Sequence, residues 1–363
     1  MRSRPRRSSQ RDSVVTIADV ARHAGVSTST VSYVLSGKRA ISATTSARVH
    51  ASIRALGFHP HAGARSLASN RSSVIALVLP LRQGMHLPVL MQFATAVVTS
   101  ARQHHHDVLL VTADEGPAGL RRVAAGAMVD GLVLMDVEMH DPRVPTLRRL
   151  ERPSVLIGLP ADSAGLTCVD LDFHRAGAVC VEHLAALGHR EIALLGAPRV
   201  VYDRDTGFAH RTRDGFVEAA KRLRLTAYAQ PFEEHPQAVQ ESLAQLLAHH
   251  PRLTGLVVHN EAAVAHVLNS LRALGRRVPE DISVVAICPD ELAERSSPAL
   301  SSVQIPAEDV GRQAVELLMR KLDDRAVPPA TLLPPILTLA PAPPPPPADP
   351  ARPALSTKHL VRP

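Results

Sequence analysis

Thr28, Ser29, Thr30, Ser32 and Tyr33 fall within six residues, directly behind Ser27 and interleaved with Val31, Val34 and Leu35. On a helix that spacing puts the apolar residues on one face and the hydroxyls and phenol on the other. Short hydroxyl side chains at a short helix suit the floor of a DNA major groove, where base edges offer donors, acceptors and thymine methyls. The alternative is a plain solvated face. Elsewhere the residues that could do chemistry carry weaker patterns. His104, His105, His106 and Asp107 could suggest a metal, but consecutive residues do not converge on one point, and a solvated helix–strand loop fits better. Cys168, Cys180 and Cys288 lack a metal-ligand spacing, which argues for a reducing compartment and against a disulfide framework. His259 and His266 read as core or cleft histidines. There is no Gly-rich phosphate loop, no nucleophile elbow and no local Cys–His signature, so neither an enzyme nor a cofactor is expected.

The hydroxyl-rich stretch needs elements that hold it. TIADVARHAGVSTSTVSYVLSG, residues 16–37, reads as two short helices around a tight turn. Thr16 caps the first, with Asp19 three residues on in a capping-box pattern, and Gly25 ends it. Ser27 caps the second. A third helix is expected from a cap at Ser42, with Val49, Ile53 and Leu56 packing back and Gly57 stopping it. The charge follows the same division. Residues 1–72 hold twelve Lys or Arg against two acids, a local net of +10, within a chain of 363 residues whose net charge is +7. A charge gathered in the first fifth of the chain is an electrostatic footprint of nucleic-acid binding.

From Ser73 onward short apolar runs alternate with helical periodicity. Strands are expected at 74–80, 108–112, 131–135, 154–159, 192–195, 255–259 and 282–287. Between them helices are expected at 89–103, 175–187, 213–223, 237–248 and 262–274, which together mean an α/β architecture with parallel sheets. The length suits two similar lobes. No apolar run approaches a membrane span, and the arginines at the start have no apolar segment behind them, so a cytoplasmic protein is expected. The predicted layout is a disordered basic arm over 1–13, a headpiece over 14–58 and a hinge helix over 59–72. The core follows over 73–338, and a Pro-rich disordered tail over 339–363. A plain linker accounts for 59–72 as well as a hinge does, and a free-standing sugar-binding protein is a rival reading of the core alone.

The headpiece TIADVARHAGVSTSTVSYVLSGKRAISATTSARVHASIRALGFHPHAGARSLA, with VDGLVL, LGHREIALLG, DGFVEAA, RRVPEDISVV and PALSSVQIP in that order, resembles the lactose-repressor (LacI/GalR) family of bacterial transcription regulators over residues 14–338. The resemblance implies an all-α helix-turn-helix headpiece, a hinge helix and a two-lobed core like that of periplasmic sugar-binding proteins. It also implies a homodimeric repressor on a palindromic operator, modulated by a small molecule, a sugar or related metabolite, in the inter-lobe cleft. Carried over by residue, Thr28 and Ser29 read bases, while Thr30, Ser32 and Ser36 lie nearer the backbone, and Thr16 and Ser27 join the DNA-contact set. Tyr33 stands where many members have an arginine that contacts guanine, and a phenol cannot make that bidentate contact. In the hinge, Ala64, Arg65, Leu67 and Ala68 match, with Leu67 as the minor-groove wedge, and His61 replaces the usual Asn.

In the core the resemblance points to Arg211, Arg213, Asn260 and Asp290 as effector-binding residues, and Arg82, in the loop after the first core strand, is placed to reach a cleft ligand or merely solvent. Here the chain departs from the family. Asn260-Glu261 replaces Asn-Asp, Ala286-Ile287-Cys288 replaces Gly-Phe-Asp, and Thr212 stands where an arginine is expected. Those departures imply an unusual effector or none.

Overall fold

The computed structural model describes residues 15–36, 39–58, 71–126 and 128–340. The first three helices are α1 (Ile17–Ala24), α2 (Thr28–Ser36) and α3 (Ala43–Leu56). Each begins at a hydroxyl. The Thr16 amide donates to Asp19 Oδ2 at 3.0 Å and the Asp19 amide to Thr16 Oγ1 at 3.4 Å, a reciprocal capping box. Thr30 N donates to Ser27 Oγ at 3.1 Å and Thr45 N to Ser42 Oγ at 3.3 Å. Gly25 and Gly57 close α1 and α3 at φ +63° and +61°, the left-handed conformation a helix end favours. Val20, Ala21, Ala24, Val31, Val49 and Phe58 form the buried centre. The side chains are small, so the helices approach closely around a thin core that supports only a modest stability.

Beyond residue 71 the chain continues through β1 (Val74–Val78), α4 (Leu87–Gln103), β2 (Asp107–Val111), α5 (Gly116–Ala125), β3 (Gly131–Leu134), α6 (Val144–Leu147), β4 (Ser154–Ile157) and β5 (Cys168–Leu171). Next come α7 (Phe173–Ala186), β6 (Glu191–Leu195), α8 (Arg199–Asp203), α9 (Gly207–Arg222), β7 (Thr226–Gln230), α10 (Pro236–His249) and β8 (Gly255–Val258). A 3-10 turn (Glu261–Ala263) leads to α11 (Val264–Ala273), β9 (Ser283–Ile287), α12 (Asp290–Glu294), β10 (Ser301–Val303), α13 (Ala307–Leu322), β11 (Ala330–Leu333) and β12 (Leu337–Thr338). Two compact units result. The first runs to Leu171 and takes back Val200–His210 and Pro306–Leu333; the second holds Asp172–Arg199, Arg211–Ile305 and the residues from Pro334.

The sheet of the first unit has the order β11-β5-β4-β3-β1-β2 with every pairing parallel. Its central strands β1 and β3 are apolar because both faces are covered, whereas the edge strands β2 and β11 are partly exposed. Ile75, Leu77, Val133 and Val155 meet α4 and α13, while Ala76, Val78, Leu132 and Leu134 meet α5 and α6. The sheet of the second unit, β12-β10-β9-β8-β6-β7, is parallel except for the antiparallel pair β10–β12. The expected parallel α/β core is therefore present. Strands β5, β7, β10, β11 and β12 and helix α13 are additions to the sequence expectation, and α9 starts at Gly207 rather than Arg213.

One close approach fixes the second unit. A Cβ at Gly177 would lie 2.2 Å from the Thr212 carbonyl oxygen, and one at Gly215 would lie 1.8 Å from that of His174. Helices α7 and α9 thus touch backbone to backbone, which only glycine permits. Among the described residues no helix is long and apolar enough to cross a membrane.

Candidate functional site

On α2 the side chains of Ser27, Thr28 and Ser29 are exposed, Thr30 and Ser32 are half-buried, and Val31 is fully buried beneath them. The hydroxyls are already ordered. Ser27 Oγ lies 2.8 Å from Ser29 Oγ and 2.8 Å from Thr30 Oγ1, so the first turn presents a fixed group of donors and acceptors. Such an arrangement can exchange its internal partners for base edges or phosphate oxygens with little loss of side-chain freedom.

Tyr33 is 36% exposed, and the Arg39 guanidinium sits over its ring at 5.9 Å. The loop after α2 thereby brings a cation to the face where the sequence lacks an arginine. Thr16 is occupied at the start of α1: its hydroxyl donates to Asp19 Oδ2 at 2.7 Å, and these contacts hold the Asp19 carboxyl below its usual range. The Ser36 side chain, residues 37–38 and the hinge candidates His61, Ala64, Arg65, Leu67 and Ala68 lie outside the described residues.

In the first unit the carboxyl ends of the central strands carry a charge network. Arg82, after β1, donates from Nε and Nη2 to both oxygens of Asp114, each at 2.9 Å. Its Nη1 donates to Asp136 Oδ2 and Glu138 Oε1, both at 2.8 Å. Burial alone would lower the Arg82 pKa, but the Asp114 hydrogen bond and the charges of Asp136 and Asp114 raise it, so the cation is locked in. The same hydrogen bond lowers Asp114, whereas burial raises Glu138 against the pull of Arg82. Beside it, buried Arg143 spends its donors on Asp141 and on the Asp136 carbonyl. Asp114, Asp136 and Glu138 were not among the sequence candidates. Their signal was present as acids ending successive apolar runs, in LLVTADE and LVLMDVE.

Arg211, Arg213, Asn260 and Asp290 all lie in the second unit. Asn260 Nδ2 donates to the Phe232 carbonyl at 2.7 Å, and the residue is buried. Asp290 accepts from Ser302 Oγ at 2.7 Å and Thr338 Oγ1 at 3.0 Å, tying α12 to β10 and β12. Arg213 pairs with its neighbour Asp214 at 3.0 Å, Arg211 is half-buried on α9, and Thr212 between them is fully buried. The strand ends here are electrically quiet. Burial lowers His259, 5.7 Å from the Phe173 ring, to about 4 and raises the part-accessible Glu261 to about 7. Burial, helped by the charges of Glu261 and Asp290, pushes the Cys288 thiol up to about 12. Near neutral pH this end of the sheet holds a neutral imidazole, a neutral thiol and a half-ionised carboxyl.

No group of three or more His, Cys, Asp or Glu is placed to hold a metal among the described residues. Within the 104–106 run, His106 Nδ1 faces the His104 carbonyl at 2.8 Å and its Nε2 lies 3.5 Å from Asp130.

Residues 16–61 match the model for bacterial regulatory proteins, lacI family, and residues 181–341 the model for a periplasmic binding protein-like domain. The ribose operon repressor of Escherichia coli is 27% identical over 316 residues, spanning 85% of this chain and 93% of the relative. The HTH-type transcriptional repressor PurR of Photorhabdus laumondii is 29% identical over 324 residues, with 85% and 91% covered. Among solved structures, the lac repressor dimer bound to operator and an anti-inducer aligns with a TM-score of 0.74 at 24% identity, covering 89% of this chain and 97% of that one, a likeness of fold. The transcriptional regulator CelR in complex with cellobiose aligns at 0.63 and 26% identity, covering 90% and 98%.

Proposed function

This chain belongs to the lacI family of bacterial regulatory proteins, DNA-binding transcriptional repressors governed by small-molecule effectors, and on that premise we propose how its own residues divide the work. The observation that carries the DNA role is the first turn of α2, where Ser27 orders exposed Ser29 and half-buried Thr30 beside exposed Thr28, above a packed Val31. In this reading Thr28 and Ser29 contact base edges, and Thr16, Ser27, Thr30, Ser32 and Ser36 settle the phosphates. Arg39, held on Tyr33, supplies the cation that the helix lacks. Residues 59–72 form the hinge, in which His61, Ala64, Arg65, Leu67 and Ala68 approach the minor groove. Two copies act together on a palindromic operator in the cytoplasm.

The effector is read as a neutral polyhydroxylated molecule of the sugar class, bound by the core. Three carboxylates around one arginine disfavour an anion and offer acceptors to hydroxyls. The names of the ribose operon repressor and the CelR–cellobiose complex point to the same class. Ligand binding then changes DNA affinity through a population shift between core conformations. A second reading, regulation without an effector, is favoured by one observation: Asn260, Asp290 and Arg213 already spend their polar groups inside the protein.

Selection of random duplex DNA on the purified protein tests the DNA role. The expected result is a palindromic consensus whose affinity falls steeply between two salt concentrations. A pool that stays random overturns operator recognition by this chain. The consensus then serves as the probe for a panel of neutral sugars, and loss or gain of operator affinity with one of them separates the two readings of the core.

A further inference from the structure

The first unit holds a cavity of about 790 Å³ at the end of its sheet opposite the Arg82 network. Its wall is formed where the strands begin: Asp130 precedes β3, Pro153 precedes β4, and Arg71 precedes β1. Five cationic side chains line it, Arg71, Arg121, Arg149, Arg152 and Lys321, against three acids. One of those acids is spent. Asp130 accepts from the Ser72 amide at 2.6 Å, the Ser72 hydroxyl at 2.9 Å and the Ser73 amide at 2.8 Å, so its charge is taken up in anchoring the start of β1.

Arg71 is engaged, donating to the Leu322 carbonyl at 2.7 Å and pairing with Asp323 at 3.5 Å, but the other four cations are less committed. No hydrogen bond or ion pair to the guanidinium groups of Arg149 and Arg152 occurs among the described residues. Arg121 makes one long contact, 3.4 Å to Thr146 Oγ1. Lys321, half-buried, donates to the Ser154 carbonyl at 2.9 Å and Thr167 Oγ1 at 3.1 Å, which leaves one of its three N–H groups to spare. Burial lowers its pKa, a cost that a nearby anion relieves.

We infer that this cavity is a second ligand site, one that takes a small anion carrying phosphate groups. Guanidinium forks match phosphate oxygens two at a time, and the cations around this wall outnumber the two acids left once Asp130 is spent, Glu151 and Asp324. The volume falls in the range of small-molecule pockets, room for a phosphorylated metabolite and not only a bare ion. The chemistry is opposite to that of the Arg82 network, where carboxylates outnumber the cation. A neutral ligand and an anionic one are thus assigned to opposite ends of one sheet.

Inorganic pyrophosphate is the probe, titrated calorimetrically into the full-length protein without DNA, with sodium sulfate at matched ionic strength as control. The wild-type protein is expected to bind pyrophosphate in preference to sulfate. Arg149→Ala with Arg152→Ala is expected to weaken that binding by about tenfold or more, since charge-assisted bonds to the anion are lost. Arg149→Glu, at an exposed side chain, repeats the test should the double variant melt early. Arg39→Ala in the headpiece is expected to leave pyrophosphate binding unchanged. Binding no tighter than sulfate, or lost equally in Arg39→Ala, overturns the site. So does a third result, in which pyrophosphate fails to bind while the Arg149 and Arg152 changes weaken operator affinity, because the groove then takes DNA backbone. None of these results bears on whether the headpiece reads an operator.

Discussion

In the headpiece, Thr28 and Ser29 stand exposed on α2, the Ser29 hydroxyl bonded to nearby Ser27, whereas the core candidates Arg82, Asn260 and Asp290 are engaged at long range. Arg82 is clasped by residues 32 to 56 positions away, Asn260 by a carbonyl 28 positions away, and Asp290 by Ser302 and Thr338. Recognition of DNA by short hydroxyls requires a surface that is already in place before the partner arrives. Recognition of a small molecule by charged groups requires those groups to be held and partly neutralised first, because an unpaired charge in a concave site is costly. The two regions therefore solve the same problem, preorganisation, with local contacts in one case and tertiary contacts in the other.

The largest expected effect separates the regions outright. Thr28→Ala combined with Ser29→Ala removes the reading hydroxyls while leaving the buried Val31 untouched. At about 1–3 kcal/mol per lost base contact, operator affinity should fall roughly thirtyfold or more. Fluorescence anisotropy at fixed salt measures it, and the thermal transition of the core should not move. Unchanged affinity would show that α2 does not read the operator.

Arg82→Met probes the other side of the comparison. It leaves Asp114, Asp136 and Glu138 together without their cation, and the Asp136 side chain is only 2% exposed. Breaking such a network should destabilise the core by about 3 kcal/mol near neutral pH. The sign with pH follows from the carboxylates. Without Arg82 the pKa values of Asp114 and Glu138 rise, so the deficit is largest at high pH and shrinks as these two protonate on acidification. Melting curves from pH 4 to 8 test this; a deficit independent of pH would mean that Arg82 acts by packing alone.

The same contrast explains what could be read from the chain. The headpiece was legible because each signal sits within a few residues of the next: Thr16 with Asp19, Ser27 with Thr30, Gly25 and Gly57 at helix ends. The central strands were legible because burial on two faces demands unbroken apolar runs. Strand β7, half-exposed at a sheet edge, and β12, two residues long, have no such demand on them. Helix α13 carried a usable signal in its acidic first turn and basic last turn, with Val310, Ala314 and Leu318 buried at helical spacing. At the core sites, residue types were legible but their partners were not. Nothing local in the sequence sets Asn260 against the Phe232 carbonyl or three acids around Arg82.

The smallest expected effect lies at the quiet end of the second unit, where His259 and Glu261 oppose each other. The His259 pKa is about 4 against an ordinary 6.5, so between those values the unfolded chain binds the extra proton and stability falls on acidification. Glu261 titrates near 7 against an ordinary 4.5, so in that window the folded chain binds the extra proton and stability falls as pH rises. From about pH 4.5 to 6.5 the two slopes offset, and the parent protein should melt at a nearly constant temperature. Glu261→Gln removes one arm. The variant should melt about 2–5 °C above the parent at pH 8, where burying an ionised carboxylate no longer costs anything, and converge with it near pH 5. Curves that stay parallel would place the Glu261 carboxyl in water. In that case the contrast between the two regions would rest on Arg82, Asn260 and Asp290, without Glu261.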